Sequence, residues 1–537
     1  MPSTKHGLWH AEDYEGKDGG ACIHAAVDAA ETAAGPNVVM VGPIGPDANS
    51  RWEVSKAIEL PSHATLLLQS AYLILADNAD CDLIQNRDFI EGNTDIHVIG
   101  RGGARLDLNP GKQPQPTDHR DVELWFEEHS IELSPPSKEV IGDMSMAEFA
   151  AQRPTVPYLI VGIRFYNVEN LSLRGFTIGP TVTFPIHVER VQQVRISDCT
   201  VVQDGREPWT EFIHIYGPAE RIVIKNIVGS CSDDFCALTT SEPVTVLHEL
   251  SGGKLPVEIR RANAGPIHGV VISNVVIRNR WSTGLLRILP IRGYPIDGVH
   301  VSNVQILETP GHSGAHGVLK FGATDSGNHA AEFCLPEDMA NITVENVYVK
   351  DWVGPYITVL EPVKNLTLRG LRGNHTGPFF HNYGQAIDGL TLEDCRVTLT
   401  GGGADEPFVG PMMQFCMEEW GLDFSSSTGT PAAIHLNKGP LKDVDIRGVV
   451  MISDLQPEYS RRAAGARCRS LLLSCVQADH RRIRDRRPNR RGNTGRGFEI
   501  SGRYHAQRDN TLDHPRCSPS TGRRQARLIA KGSYTER

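Results

Sequence analysis

At 537 residues the chain exceeds an ordinary single-core domain, unless its core grows along an axis. The net charge of -10 hides an asymmetry: from Arg461 onward 19 Arg and one Lys face six acids, leaving 58 acids against 34 bases elsewhere. An acidic body argues against nucleic acid as a partner, and with no apolar run of about 18 residues nothing is predicted to span a membrane.

The first ten residues hold no apolar stretch of the kind a secretory leader needs. A cytoplasmic location is therefore the expectation, with secretion open if the chain begins further upstream. Eleven Cys at irregular spacing make neither a metal ribbon nor a disulfide ladder, and neither metal nor cofactor is expected.

In chain order, the segment from Ala21 to Ala30 has the apolar spacing of a helix and is predicted to cap the open end of a core. Val38 to Val41 and Ala64 to Leu68 read as strands, and residues 1–107 form a cap with the first rungs. Residues 108–157 break the rhythm with Pro, charged and aromatic residues, as an overhanging insertion does. Rungs are expected over 158–455. The Arg-rich tail, 456–537, lacks periodicity and reads as disordered or as translated out of frame.

One phrase recurs through the body: apolar, any, apolar, any, then Asn, Asp or Gly, then apolar, any, apolar. From Gly175 the marks fall at Asp198, Asn226, Asn274, Asn303, Asn346, Gly370, Asp394 and Gly448, in steps of 23, 28, 48, 29, 43, 24, 24 and 54. A short strand, a bend and a second strand at a period near 23 describe one rung of a solenoid. The chain is expected to be all-β, a single-stranded parallel β-helix of about ten or more rungs. By the general chirality of parallel crossovers it is right-handed. The 48 reads as two rungs with one weak copy, while 43 and 54 fit either two rungs or one with a long loop. Cys199 and Cys395 fall where Val275, Val304 and Val347 stand in other copies, so they are expected to point inward.

The period also yields a site. Residues about 22 apart on equivalent strands lie roughly 4.8 Å apart along the axis. Glu211 and Asp233 are 22 apart, Asp234 adjoins, and Arg287 is 54 beyond Asp233, which reads as two rungs plus a short loop. Three carboxyls and a guanidinium in one trough suit glycosidic cleavage, which needs one protonated and one ionised carboxyl. Each also has a plainer reading. An Asp-Asp pair is often a solvated turn, an Arg often lies along the surface, and His187 and His214 are more often packed than catalytic.

At these residues the sequence resembles glycoside hydrolase family 28, the polygalacturonase-like enzymes. Ser232-Asp233-Asp234-Phe235-Cys236-Ala237-Leu238 resembles that family's Gly-Asp-Asp with its following Cys and strand. Thr210-Glu211-Phe212 lies where it carries Asn-Thr-Asp-Gly, and Arg287-Ile288-Leu289 resembles its Arg-Ile-Lys. The resemblance implies a right-handed β-helix and metal-free inverting hydrolysis of an oligo- or polysaccharide. Asp233 would be the general acid, Asp234 and Glu211 would hold the attacking water, and Arg287 and His214 would contact substrate.

The departures are Glu211 in place of Asp, Leu289 in place of Lys, and no Gly-His-Gly after Asp234. His248, His268 and Gly314-Ala315-His316-Gly317 are imperfect substitutes. Trp209 and Trp281 flank the motifs and are candidates for stacking on sugar rings. Two other readings stay open: a polysaccharide lyase with Ca²⁺ on the acids and Arg287 as base, and a carbohydrate-binding β-helix that catalyses nothing.

Overall fold

The computed structural model describes residues 8–33, 37–45, 51–79, 81–113, 160–203, 211–231, 234–240, 265–279, 284–290, 292–307, 317–322, 334–352, 354–375, 377–383, 385–400, 434–437, 440–453, 483–486 and 496–504. The helix Gly19–Thr32 starts where Asp18 accepts a hydrogen bond from the Ala21 N–H at 2.8 Å, an N-cap that satisfies one end-of-helix donor. Ser55 donates to the same carboxylate. The helix buries Cys22, Ile23, Ala26, Val27 and Ala30 against the first coils and so covers the open end of the core.

From Val38 the chain winds in coils, each paired in parallel with the next. Val38 faces Thr65, which faces His97, and the pairing continues to Ile434–Asn437 and Leu441–Ser453. This is the single-stranded parallel β-helix expected, and crossovers of this kind are right-handed. Along one sheet the register runs Ile163, Ile186, Ile213, Cys236, Leu286, Leu319 and Ile357, all fully buried. Strand alternation then turns the next residue of each coil outward: Arg164, His187, His214, Ala237, Arg287, Lys320 and Thr358. Apolar residues alternating with mostly polar ones therefore build a core column and an outer column side by side.

The recurring Asn, Asp or Gly has a conformational cause. From Gly175 to Gly448 all nine marks have a left-handed backbone, with φ between 53° at Asp394 and 78° at Gly175. Only Gly, and to a lesser degree Asn and Asp, adopt this cheaply. Asn has a second use, because its amide hydrogen-bonds to the neighbouring coil's mark: Asn226 to Asp198 at 2.9 Å, Asn274 to Asn226 at 3.1 Å, and Asn303 to Asn274 at 3.3 Å. A second left-handed column lies five residues earlier in every copy, at Asn170, Gln193, Arg221, Gly269, Gly298, Asn341, Asn365, Gly389 and Asp443. Gln193 and Arg221 hide it from composition.

The register corrects the rung count. Ile222 pairs directly with Val270, so the step of 48 is one coil and not two. The extra residues fall within 241–264, between Thr240 and Gly265, whose backbones meet at 3.1 Å. The steps of 43 and 54 are also single coils, because Val304 pairs with Val347 and Leu392 with Ile446. A period counted along the chain overestimates coils wherever extra residues intervene between two strands that pair directly. Cys199 and Cys395 do point inward, and burial pushes the Cys199 thiol up to about 12.

Most of the 108–157 insertion lies outside the described residues. Of the Arg-rich tail, Ile483–Arg486 and Arg496–Tyr504 are described as strands, the latter antiparallel to Leu441–Ser453.

Candidate functional site

Phe212 and Phe235 both enter the core, stacked at 5.2 Å, and Ile213 and Cys236 after them are buried in it as well. Two consecutive inward residues require a bend, which leaves Glu211 and Asp234 outside at the foot of their coils. Because Ile213 faces Cys236 in register, the coil-to-coil equivalent of Glu211 is Asp234, one residue past the 22-residue spacing that pairs it with Asp233. Burial first, and then the Asp234 and Glu211 charges, push the Cys236 thiol upward.

Arg287 stands on the very next coil, since Ala237 pairs with it. The expected separation of two rungs is corrected to one, because residues 241–264 add sequence length without adding a coil. Its Nε lies 3.9 Å from Asp234 Oδ2, while Asp234 Oδ1 accepts the Gly284 N–H at 2.7 Å. Gly284 leaves no room for a side chain, since a Cβ there would meet the carbonyl oxygens of Gly317 and Val318, each at 2.5 Å. Glu211, Asp234 and Arg287 thus occupy three consecutive coils. The two carboxyl residues are about 3% exposed, while the Arg287 side chain is 18% exposed.

His214 joins them. Its Nδ1 is 3.5 Å from Glu211 Oε1, its Nε2 pairs with the Thr239 hydroxyl at 2.9 Å, and its ring stacks on Tyr216 at 4.2 Å. Burial first, and the Arg287 charge second, push this imidazole down to about 3, so it is neutral at ordinary pH. A neutral, stacked and hydrogen-bonded His fits the plainer reading of a packed residue, yet its Nδ1 stands 3.5 Å from the acid expected to hold water. Between His214 and Arg287 the column narrows to Ala237, the smallest side chain in it.

Four residues of this face were not singled out as site residues by sequence. Arg164 forms a buried ion pair with Asp82 at 2.7 Å and reaches His187 Nδ1 at 3.5 Å. His187 is held well below its usual range by burial, Arg164 and His214. Glu189, also buried, is pushed up to about 8 by desolvation, against the pull of Arg164 and Arg190. Lys320 follows Arg287 in register and is buried. A Lys is absent at Leu289, but the column supplies one a coil later. For Arg164, His187 and Lys320 the available signal was the second residue of each Ile-x-Val-like triplet, read down the stack.

Asp233, Trp209, Trp281, His248, Gly314, Ala315 and His316 lie outside the described residues. His268 pairs with Glu220 and Asp297, six and more residues along the coil from His214, and does not join the site.

No protein-family model matches the sequence, and no curated protein matches it. Similar solved structures include an exopolygalacturonase from Thermotoga maritima, 11% identical over 72% of this chain and 93% of that one, with a TM-score of 0.44. A polygalacturonase from Erwinia carotovora is 12% identical over 72% and 90%, at 0.42. An endo-xylogalacturonan hydrolase from Aspergillus tubingensis is 10% identical over 74% and 97%, also at 0.42. The fold assignment stands on the strand register described above.

Proposed function

We propose that this protein is a carbohydrate-active β-helix that hydrolyses glycosidic bonds of an oligo- or polysaccharide bound along the column of outward residues. The observation that carries the reading is the equivalent placement of Glu211 and Asp234 on adjacent coils, with Arg287 on the third. Two carboxyls so placed suit the holding of a water for direct attack at the anomeric carbon. Asp233 is then the general acid that protonates the leaving oxygen, which gives inversion of configuration without a metal. Arg287 orients a substrate hydroxyl or carboxylate, and His214 stands beside the Glu211 carboxyl. Gly284, by donating to Asp234 Oδ1, directs the remaining lone pairs of that carboxylate.

The test is a product screen on neutral and uronic-acid glycans with the parent, Asp233→Asn and Asp234→Asn. The expected outcome is hydrolysis by the parent, with the first-formed anomer inverted in NMR, and loss of turnover in both variants. Hydrolysis by Asp233→Asn at the parental rate would remove the proposed acid. Unsaturated, ultraviolet-absorbing products abolished by a chelator would establish a lyase instead. Glycan binding without any turnover would establish a binding module.

A further inference from the structure

Glu189 is buried on the same outer face and has no part in the chemistry above. It follows His187 by two residues, on the coil before Glu211, and its Oε2 stands 3.8 Å from His187 Nε2. The other ring nitrogen, Nδ1, faces Arg164 Nη1 at 3.5 Å. A guanidinium only donates, so Nδ1 carries the lone pair and Nε2 the proton. That buried Nε2 makes no hydrogen bond, which is costly for a buried donor.

The next coil repeats the arrangement. His214 Nδ1, also buried without a hydrogen bond, faces Glu211 Oε1 at 3.5 Å. Two imidazole–carboxyl pairs therefore stand on consecutive coils, each just short of contact. Tyr216 links them, its ring 9° from parallel to His214 at 4.2 Å and 26° from His187 at 4.7 Å.

We propose that Glu189 is a positioning residue of the candidate site: its carboxyl receives the Nε2–H of His187, and the His187–Tyr216–His214 stack carries that placement to the imidazole facing Glu211. The inference rests on the reading of Glu211 as a site residue.

The titratable and charged groups around Glu189 are Arg164 and Tyr166 from the preceding coil, His187 and Arg190 on its own, and Tyr216 and His214 from the following one. Burial raises Glu189 to about 8 and holds both imidazoles neutral. At neutral pH the protonated carboxyl accepts through its carbonyl oxygen and adds no charge. Above that range a carboxylate appears beside His187, draws positive charge onto the ring and disturbs the stack.

The experiment is NMR of the full chain labelled with ¹⁵N in its histidine rings, titrated from pH 6 to 9, with signals assigned through His187→Asn and His214→Asn. In the parent, both rings are expected to shift through one transition near pH 8, and Glu189→Gln abolishes it. Flat parental signals, or a transition retained in Glu189→Gln, would overturn the proposal. On any glycan the parent cleaves, Glu189→Gln is expected to keep kcat within about twofold at pH 6, while Glu189→Ala loses about tenfold or more with KM unchanged. Parental kcat in a folded Glu189→Ala would also overturn it; should that variant not fold, Glu189→Gln alone decides. The NMR arm reads no activity, so a chain that cleaves nothing defeats the hydrolase reading without deciding this one.

Discussion

Asp234 and Arg287 meet across adjacent coils, Oδ2 to Nε at 3.9 Å, although residues 241–264 lie between them in the chain. The same carboxylate is fixed from its other oxygen by the Gly284 N–H. A side chain held from both sides is aimed, and the kinetic consequences follow. Asp234→Asn keeps the size and loses the charge, so kcat on the preferred glycan is expected to fall about 10²- to 10⁴-fold. Glu211→Gln is expected to do the same, with unfolding midpoints close to the parent. Parental turnover in either variant would exclude that carboxyl from the chemistry.

Gly284→Ala tests the aiming. Its new methyl group has to displace the backbone of the next coil, at Gly317 and Val318, and moving that strand also moves the N–H that holds Asp234. A loss of about 10²-fold in kcat is expected, from misplacement rather than from any removed functional group. Circular dichroism and kinetics on one preparation separate this from gross unfolding.

Asp82 and Arg164 form a fully buried ion pair whose carboxylate also accepts the Val161 N–H at 2.9 Å. Asp82→Ala leaves the guanidinium without its counter-charge in the interior. Destabilisation of about 3–5 kcal/mol is expected by urea unfolding. A change below about 1 kcal/mol would show that water reaches Arg164.

The left-handed columns make a prediction about backbone cost. Asn274 has a φ of 55° and donates to Asn226. Asn274→Ala is expected to cost about 1–2 kcal/mol, and Asn274→Gly clearly less, because glycine removes the conformational part. Equal losses in the two variants would assign the whole cost to the side-chain hydrogen bond.

His375 supplies a pH dependence away from the site. It is fully buried between Tyr356 and Phe379, and burial, against the pull of the Gly377 backbone, pushes it from 6.5 down to about 4. A folded value below the unfolded one means stability that is present above pH 6.5 and is lost as pH falls through 4. The contribution lost is about 3 kcal/mol, at a slope of at most about 1.4 kcal/mol per pH unit. In His375→Phe the stability curve is expected to be flatter over that window. An unchanged slope in the variant would assign the acid loss to other groups.

Much of the architecture was legible because a β-helix writes its cross-section into the chain once per coil. The alternating apolar positions, the inward Cys199 and Cys395, and the Asn, Asp or Gly at each left-handed bend are local requirements, met residue by residue. Glu211, Asp234 and Arg287 came from rung spacing together with a family resemblance, and His214 from the resemblance; the register brings the four onto adjoining coils. Spacing failed at loops. It made two coils of the one between Asn226 and Asn274, and it matched Glu211 to Asp233 where the register matches it to Asp234.

Sequence by itself determined the repeating strand and bend, because burial alternation and left-handed φ are properties of single residues and their neighbours. Only the tertiary structure decided which coil lies on which, and therefore that Arg287 faces Asp234 and that Glu189, His187 and Tyr216 stand beside His214. Those contacts depend on register between strands separated by stretches of unequal length, and such a stretch can add residues without adding a coil.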